Sequence, residues 1–355
     1  MDKKNESPWT VQVWIVMIHD SRYMMYDESM PQYPHTHRKW EWWVLGLIML
    51  VAFVFRFQYI QDISNTLFGF FTVLGTYLLA KRLFNWQIAA MASFLLAVSS
   101  WHALYAQIAY HVMAGPFFLV FGLYFFWRGK TSLKLLDFAI SGALIGLGMR
   151  TGSAFRIMPL VLIIVLLAYW HSIKRDYGHR KYEHTRNQLI RGFATLMVVA
   201  MIAAFPVFWN FLIRGPGAFT TLSIANFTMP HILWPVGLLF VIGLTRSCFK
   251  LVRRWSMHGH YPTVPIVLLS WLLLGLASGG GQSIIVAPVV TIFAGEGLWW
   301  LYDFSQKWYG QYDAHEVVIH EHHGYEKNVV ATLAVCLLLV AIMLTEYHAY
   351  FSLYP

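Results

Sequence analysis

Apolar positions along this chain gather into long runs that recur at short intervals, with polar residues mostly confined to the gaps. Eleven runs stand out: Trp40–Tyr59, Thr66–Leu83, Ile88–Ser100, His111–Trp127, Phe138–Met149, Ile157–Trp170, Gly192–Ile213, His231–Thr245, Pro262–Ala277, Ile284–Tyr302 and Val329–Leu344. None shows the residue-by-residue alternation that a membrane β-barrel strand requires. Repeated apolar runs of this length suit helices, which satisfy their own backbone groups in lipid. A span needs about 20 apolar residues, so the shorter runs must extend into their flanks. The pattern predicts an all-α polytopic membrane protein with about eleven transmembrane helices.

Charge placement orients the scheme. With the N-terminus in the cytoplasm, the inner segments hold Lys3, Lys4, Arg22, Arg38, Lys39, Lys81, Arg82, Arg128, Lys130 and Lys134. They also hold Lys174, Arg175, Arg180, Lys181, Arg186, Arg191, Arg246, Lys250, Arg253, Arg254, Lys307 and Lys327. That accounts for 22 of the 26 basic residues; only Arg56, Arg150, Arg156 and Arg214 fall on or near the outer side. Such asymmetry is what the positive-inside rule demands. The expected location is the cell (inner or plasma) membrane, with the C-terminus outside. Trp40, Trp42, Trp43, Trp170, Trp271, Trp299 and Trp300 sit near span ends and read as interfacial anchors.

Composition agrees. Hydrophobic residues make up 58% of the 355 positions and charged residues only 12%. Soluble domains carry about 25% charged residues, and a soluble core of this size cannot bury so much apolar area. No cleavable signal segment reads from the start: Met1–Pro8 is polar, and the apolar stretch Trp9–Ile18 is too short to span. The expected organisation is a cytoplasmic or interfacial segment (1–39), a transmembrane bundle (40–304), a His-rich cytoplasmic loop (305–328), and a final helix with a short outer tail (329–355). Cys248 and Cys336 lie far apart beside apolar runs, which suggests small buried hydrophobes rather than a disulfide or zinc site.

Five stretches, in order, resemble the C-type glycosyltransferase (GT-C) superfamily, particularly bacterial protein mannosyltransferases and aminoarabinose transferases. They are VAFVFRFQYIQDIS (Val51–Ser64), the region from Thr66 to Tyr110, SGALIGLGMRTGSAFRIMPLVLI (Ser141–Ile163), NFLIRGPGAFT (Asn210–Thr220) and APVVTIFAGEGLWWL (Ala287–Leu301). The resemblance implies a helical bundle that moves a sugar from a polyprenyl-phosphate carrier to an acceptor outside the cytoplasm. Such chemistry calls for a carboxylate in the first outer loop, as base or metal-binding group. It also calls for basic residues around the leaving phosphate.

Against that pattern the chain is depleted. The long first outer loop and the span after it look deleted, leaving Asp62 as the one acid there. Where the family carries an arginine, the chain reads Tyr105, Ala106 and Gln107. Before Ile284, where a basic group is usual, it reads Gly279, Gly280, Gly281 and Gln282. The acidic pair Asp27 and Glu28 falls on the cytoplasmic side of this topology. Glu296 lies inside a span, which makes it a functional candidate or a hydrogen-bonded packing residue. Arg150, Arg156 and Arg214 could hold a lipid phosphate, or serve as interfacial charges. These losses favour a non-catalytic accessory or structural subunit of a multi-protein membrane complex. The alternative is an active glycosyltransferase with a polyprenyl-phosphate donor, using Asp62 or Glu296. A transporter would want broken helices and midplane charges in corresponding halves, and no internal repeat is visible.

Other constellations are weaker. His315, His320, His322 and His323, with Glu316, Glu321 and Glu326, form a loop that could hold zinc or copper. His315 and His320 would share a helix face poorly, and a solvated or partner-facing loop is the plainer reading. His102, His111 and His231 lie near outer span ends and suit hydrogen-bonding or interfacial roles. The basic stretch His171–Arg191 suits anionic headgroups or a partner subunit, and no soluble domain presents a nucleic-acid patch. No cofactor is implied; phospholipids or polyprenyl lipids and other membrane subunits are the expected partners.

Overall fold

The computed structural model describes residues 39–57, 63–108, 113–151, 154–157, 159–176, 183–214, 234–258, 263–278, 284–312 and 324–352. Every regular element among them is helical. In chain order these are α1 (Lys39–Phe57), α2 (Ile63–Leu83), α3 (Trp86–Val98), α4 (Ser100–Ile108), α5 (Ala114–Ser132) and α6 (Leu135–Gly148). A 3₁₀ turn (Ala154–Ile157) precedes α7 (Pro159–Asp176), α8 (Glu183–Arg214), α9 (Trp234–His258), α10 (Thr263–Ala277), α11 (Ala287–Tyr312) and α12 (Gly324–Ser352). Internal packing divides the chain into two units, Met1–Trp42 and Trp43–Pro355. Only the first residues of α1 are described in the first unit; the helical bundle belongs to the second.

Among the described residues six helices are long and apolar enough to cross a membrane: α1, α2, α8, α9, α11 and α12. The pair α3–α4, bent by 56°, makes a seventh if counted as one span. The helices α6 and α10 are apolar but short. The expectation of about eleven crossings is thus met by this criterion for six or seven. Only residues 58–62 separate α1 from α2, so the connection between them is short.

Burial ranks the spans. The span Ile284–Ser305, which runs into α11, is 83% buried, whereas those of α8 and α12 are each 11% buried. Helix α11 is therefore the axis of the bundle, and α8 and α12 are peripheral. Around the axis, α11 packs on α9 and α3, α2 packs on α3 and α5, α6 lies between α5 and α8, and α10 packs on α7. Lipid offers no hydrophobic drive for helix association, so close backbone approach and internal hydrogen bonds must supply it. The α9–α11 seam shows the first device: Gly243 and Gly297 face each other so closely that a Cβ on either would strike backbone carbonyls, those of Phe293 and Leu239 respectively. The α5–α6 contact shows the second, where Ser141 Oγ donates to the Gly122 carbonyl at 2.7 Å.

The α5–α6 hairpin is closed by charge. Leu133 takes a left-handed conformation (φ 56°), and its N–H donates to the Gly129 carbonyl at 2.8 Å. Asp137, in the first turn of α6, then accepts from Ser132 Oγ at 2.7 Å and from Arg128 Nε at 3.2 Å. Arg128 Nη2 reaches its other oxygen at 3.1 Å. A carboxylate in a helix's first turn also suits the helix dipole.

Two expectations change. Trp271 is not an interfacial anchor: it is fully buried, and its indole N–H donates to the Ile285 carbonyl at 2.9 Å, tying α10 to the entry of α11. Cys248 and Cys336 are not core residues but lie on exposed helix faces. For Trp271 and Cys336 the cause is shared: α10 and α12 are apolar on every side and carry no stripe to show which face meets protein.

Gly243→Ala should cost about 1–3 kcal/mol through overpacking of the α9–α11 seam. The check is the temperature at which detergent-solubilised protein loses its monodisperse elution. Gly46→Ala, with nothing within 4 Å of its added Cβ, should leave that temperature unchanged or slightly raised.

Candidate functional site

The most polar place in the buried interior surrounds the break between α3 and α4. Ser99 leaves helical geometry there (φ −59°, ψ 113°). It ends one helix and caps the next: its Oγ accepts from the His102 N–H at 3.3 Å, the usual bond of a serine N-cap. A break inside the bundle frees the last carbonyls of α3 and the first N–H groups of α4. Left unmatched, each would cost about 1–3 kcal/mol.

Two charged side chains meet that demand. Arg56, from the last turn of α1, is fully buried. Its Nη1 donates to the Ala97 carbonyl at 3.0 Å and to its own-helix Ala52 carbonyl at 3.2 Å. Its Nη2 donates to the Leu96 carbonyl at 3.0 Å and lies 2.7 Å from His102 Nδ1. A guanidinium can only donate, so His102 Nδ1 accepts, and a neutral ring then carries its proton on Nε2. Gly69 of α2 makes room: the nearest atoms to a Cβ there would be Ala106 Cβ at 2.8 Å and Arg56 Nε at 3.6 Å. On the other side of the break, Glu346 of α12 accepts from the Ser100 N–H at 3.0 Å. A cation thus sits at the C-terminal end of α3 and an anion at the N-terminal end of α4, each matching the local helix dipole. Phe55 stacks edge-on against Tyr347 (5.8 Å) and tilts against Tyr350 (6.4 Å), bringing α1 and α12 together beside the break.

A second ionic cluster joins α9 to α11. Glu296 is buried and accepts from Lys250 Nζ at 2.6 Å and from Ser247 Oγ at 2.7 Å. Arg246 Nε lies 3.9 Å from the same carboxylate, with its guanidinium 5.9 Å from the centre of the Trp300 ring. Glu296 is therefore an interhelical counter-ion beside the glycine seam. Its partners Arg246, Ser247 and Lys250 occupy the half of α9 that runs toward His258.

The remaining candidates do not join either cluster in a described contact. Asp62 lies outside the described residues, as do His315, His320, His322 and His323. Arg150 is exposed just past the end of α6, where its N–H donates to the Leu147 carbonyl at 3.0 Å. Arg156 is half-buried in the 3₁₀ turn, and Arg214 is the last residue of α8. Among the described residues no group of three or more His, Cys, Asp and Glu could hold a metal ion. The sequence marks Arg56, His102 and Glu346 only as polar residues near span ends. Their joint role emerges only from the fold, although an Arg within an apolar run is a signal in itself.

No protein-family model matches the sequence, and no curated protein matches it. Solved structures do. The oligosaccharyltransferase of Archaeoglobus fulgidus in its apo form aligns with 86% of this chain at 14% identity and a TM-score of 0.51. The same enzyme, AglB, in complex with an inhibitory peptide and a dolichol-phosphate aligns with 86% of the chain at 15% identity and a TM-score of 0.51. The chain spans 45% of the length of each, under half of the enzyme it matches. This chain is a multi-pass membrane protein with a GT-C-like helical fold.

Removing Arg56 as Arg56→Leu should cost about 2–4 kcal/mol, since the two buried carbonyls at the end of α3 lose their donor. Glu346→Gln keeps an acceptor for the Ser100 N–H and should cost under about 1 kcal/mol, whereas Glu346→Leu should cost about 1–3 kcal/mol. Thermal unfolding of the three variants in one detergent ranks them.

Proposed function

We propose that this chain is a non-catalytic accessory or structural subunit of a multi-protein membrane complex, built on a GT-C-like scaffold. It resides in the cell membrane with its N-terminus in the cytoplasm and its C-terminus outside. One observation carries the reading. Asp137, Glu296 and Glu346, the buried carboxylates among the described residues, are all spent on holding helices together. A general base must present its oxygen to a substrate proton; these oxygens face serines, lysine, arginine and backbone instead. Arg56 likewise commits both terminal nitrogens within the protein.

The periphery supports the same view. Met201, Ile202, Phe205, Phe208, Leu212 and Ile213 of α8 are more than half exposed, as are Val330, Leu333, Leu337 and Leu344 of α12. Faces of this kind suit lipid tails and neighbouring membrane helices alike.

A second reading rests on the fold: the similar oligosaccharyltransferase has been solved with a dolichol-phosphate. On that reading the chain would transfer a sugar from a polyprenyl-phosphate donor, with Asp62 or Glu296 as the acid and Arg150, Arg156 or Arg214 at the phosphate. Affinity purification after extraction in mild detergent separates the two. The accessory role predicts other membrane proteins at fixed stoichiometry and no sugar transfer from a polyprenyl-phosphate-linked donor. A chain that purifies alone and binds such a donor sinks it, and a transfer activity abolished by Asp62→Asn would establish the enzyme.

A further inference from the structure

The ends of α2 and α5 lie side by side on the face that the charge distribution assigns to the cytoplasm. They carry Lys81 and Arg82 on α2, Arg128 and Lys130 on α5, and Lys134 in the turn that leads into α6. Asp137 is the one acid on these segments (residues 77–86 and 124–137). It is buried and already matched by Arg128, and the two segments carry five basic residues against this one acid.

The cations are held in place rather than left loose. Arg82 Nη1 donates to Thr131 Oγ1 at 3.2 Å, and its guanidinium lies 6.0 Å from the centre of the Tyr124 ring. Lys81 sits 5.8 Å from the Tyr77 ring, Lys130 5.6 Å from Trp127, and Arg128 5.3 Å from Phe125. Cations bedded on tyrosine and tryptophan at a span end mark the headgroup depth of a bilayer. Arg82 and Lys134 have no carboxylate partner among the described residues. Beside them Leu135 is 49% exposed and Leu136 is 67% exposed. Apolar side chains displayed next to a cationic rim suit a surface half in lipid, and suit a soluble polyanion poorly.

We infer that this rim is a binding site for the phosphate headgroup of an anionic phospholipid in the adjoining leaflet. Arg82 and Lys134 contact the phosphate, the aromatic rings fix the depth, and Leu135 and Leu136 lie against the acyl chains. The inference does not depend on whether the chain is catalytic.

Native mass spectrometry of the full chain, released from bilayer nanodiscs of defined composition, tests it. From an equimolar mixture, phosphatidylglycerol should be retained several-fold over phosphatidylcholine. Arg82→Gln and Lys134→Gln should each lower that preference about five-fold, and Arg82→Lys, which keeps the charge, should hold it within about two-fold. Inorganic phosphate at tens of millimolar should not displace the lipid, because it lacks the tails. Equal retention of the two lipids overturns the inference. So does an Arg82→Lys loss as large as that of Arg82→Gln, which would make the residue purely structural. Displacement of the lipid by soluble poly-glutamate overturns it as well, by assigning the rim to an acidic protein segment.

Discussion

Backbone groups inside a membrane must find partners within the protein, and the bend between α3 and α4 concentrates that demand. Arg56 and Glu346 answer it from two other helices. The guanidinium closes the carbonyl end of α3, and the carboxylate closes the amide end of α4. Neither is paired to the other in a described contact, yet together they leave the region close to neutral. The bend itself is locally encoded by Ser99, which ends one helix and caps the next. Its persistence is a tertiary matter.

The arrangement orders the rest of the bundle. Helix α3 packs on the central α11, so the tilt of its continuation sets where α4 lies against α2. Gly69 is small because the Arg56 side chain and Ala106 occupy the space beside it. Helix α11 is in turn fixed to α9 by the glycine seam and by the Glu296 cluster. The acids in the interior therefore act as fasteners, a use that competes with catalysis because a fastener must stay ionically satisfied.

Much of this was legible in the sequence as pattern and little of it as partnership. The apolar runs gave the helices, and their order matched the resemblance that the fold similarity supports. The clustering of basic residues at alternate ends marked the rim that Arg82 and Lys134 now occupy. The bend at Ser99 was not foreseen, because Ile88–Ser100 reads as one apolar run with no proline or glycine inside it. Glu346 could be seen as a charge just past the Val329–Leu344 run, but its partner is 246 positions away, beyond any local rule. Trp271 and Cys336 were misplaced for want of a stripe to separate lipid-facing from protein-facing sides. Asp62 and the four loop histidines lie outside the described residues, so their sequence readings stand as they were.

The two caps of the bend also differ in when they become available. Arg56 precedes its carbonyls by about 40 residues, so a growing chain can close the α3 end soon after α3 emerges. Glu346 comes 246 residues after Ser100 and sits on a helix with little other burial. Until α12 has inserted, the Ser100 N–H at the start of α4 lacks its carboxylate acceptor. Helix α12 thus serves as a delayed staple: the start of α4 keeps an open polar seam until 246 further residues have been made.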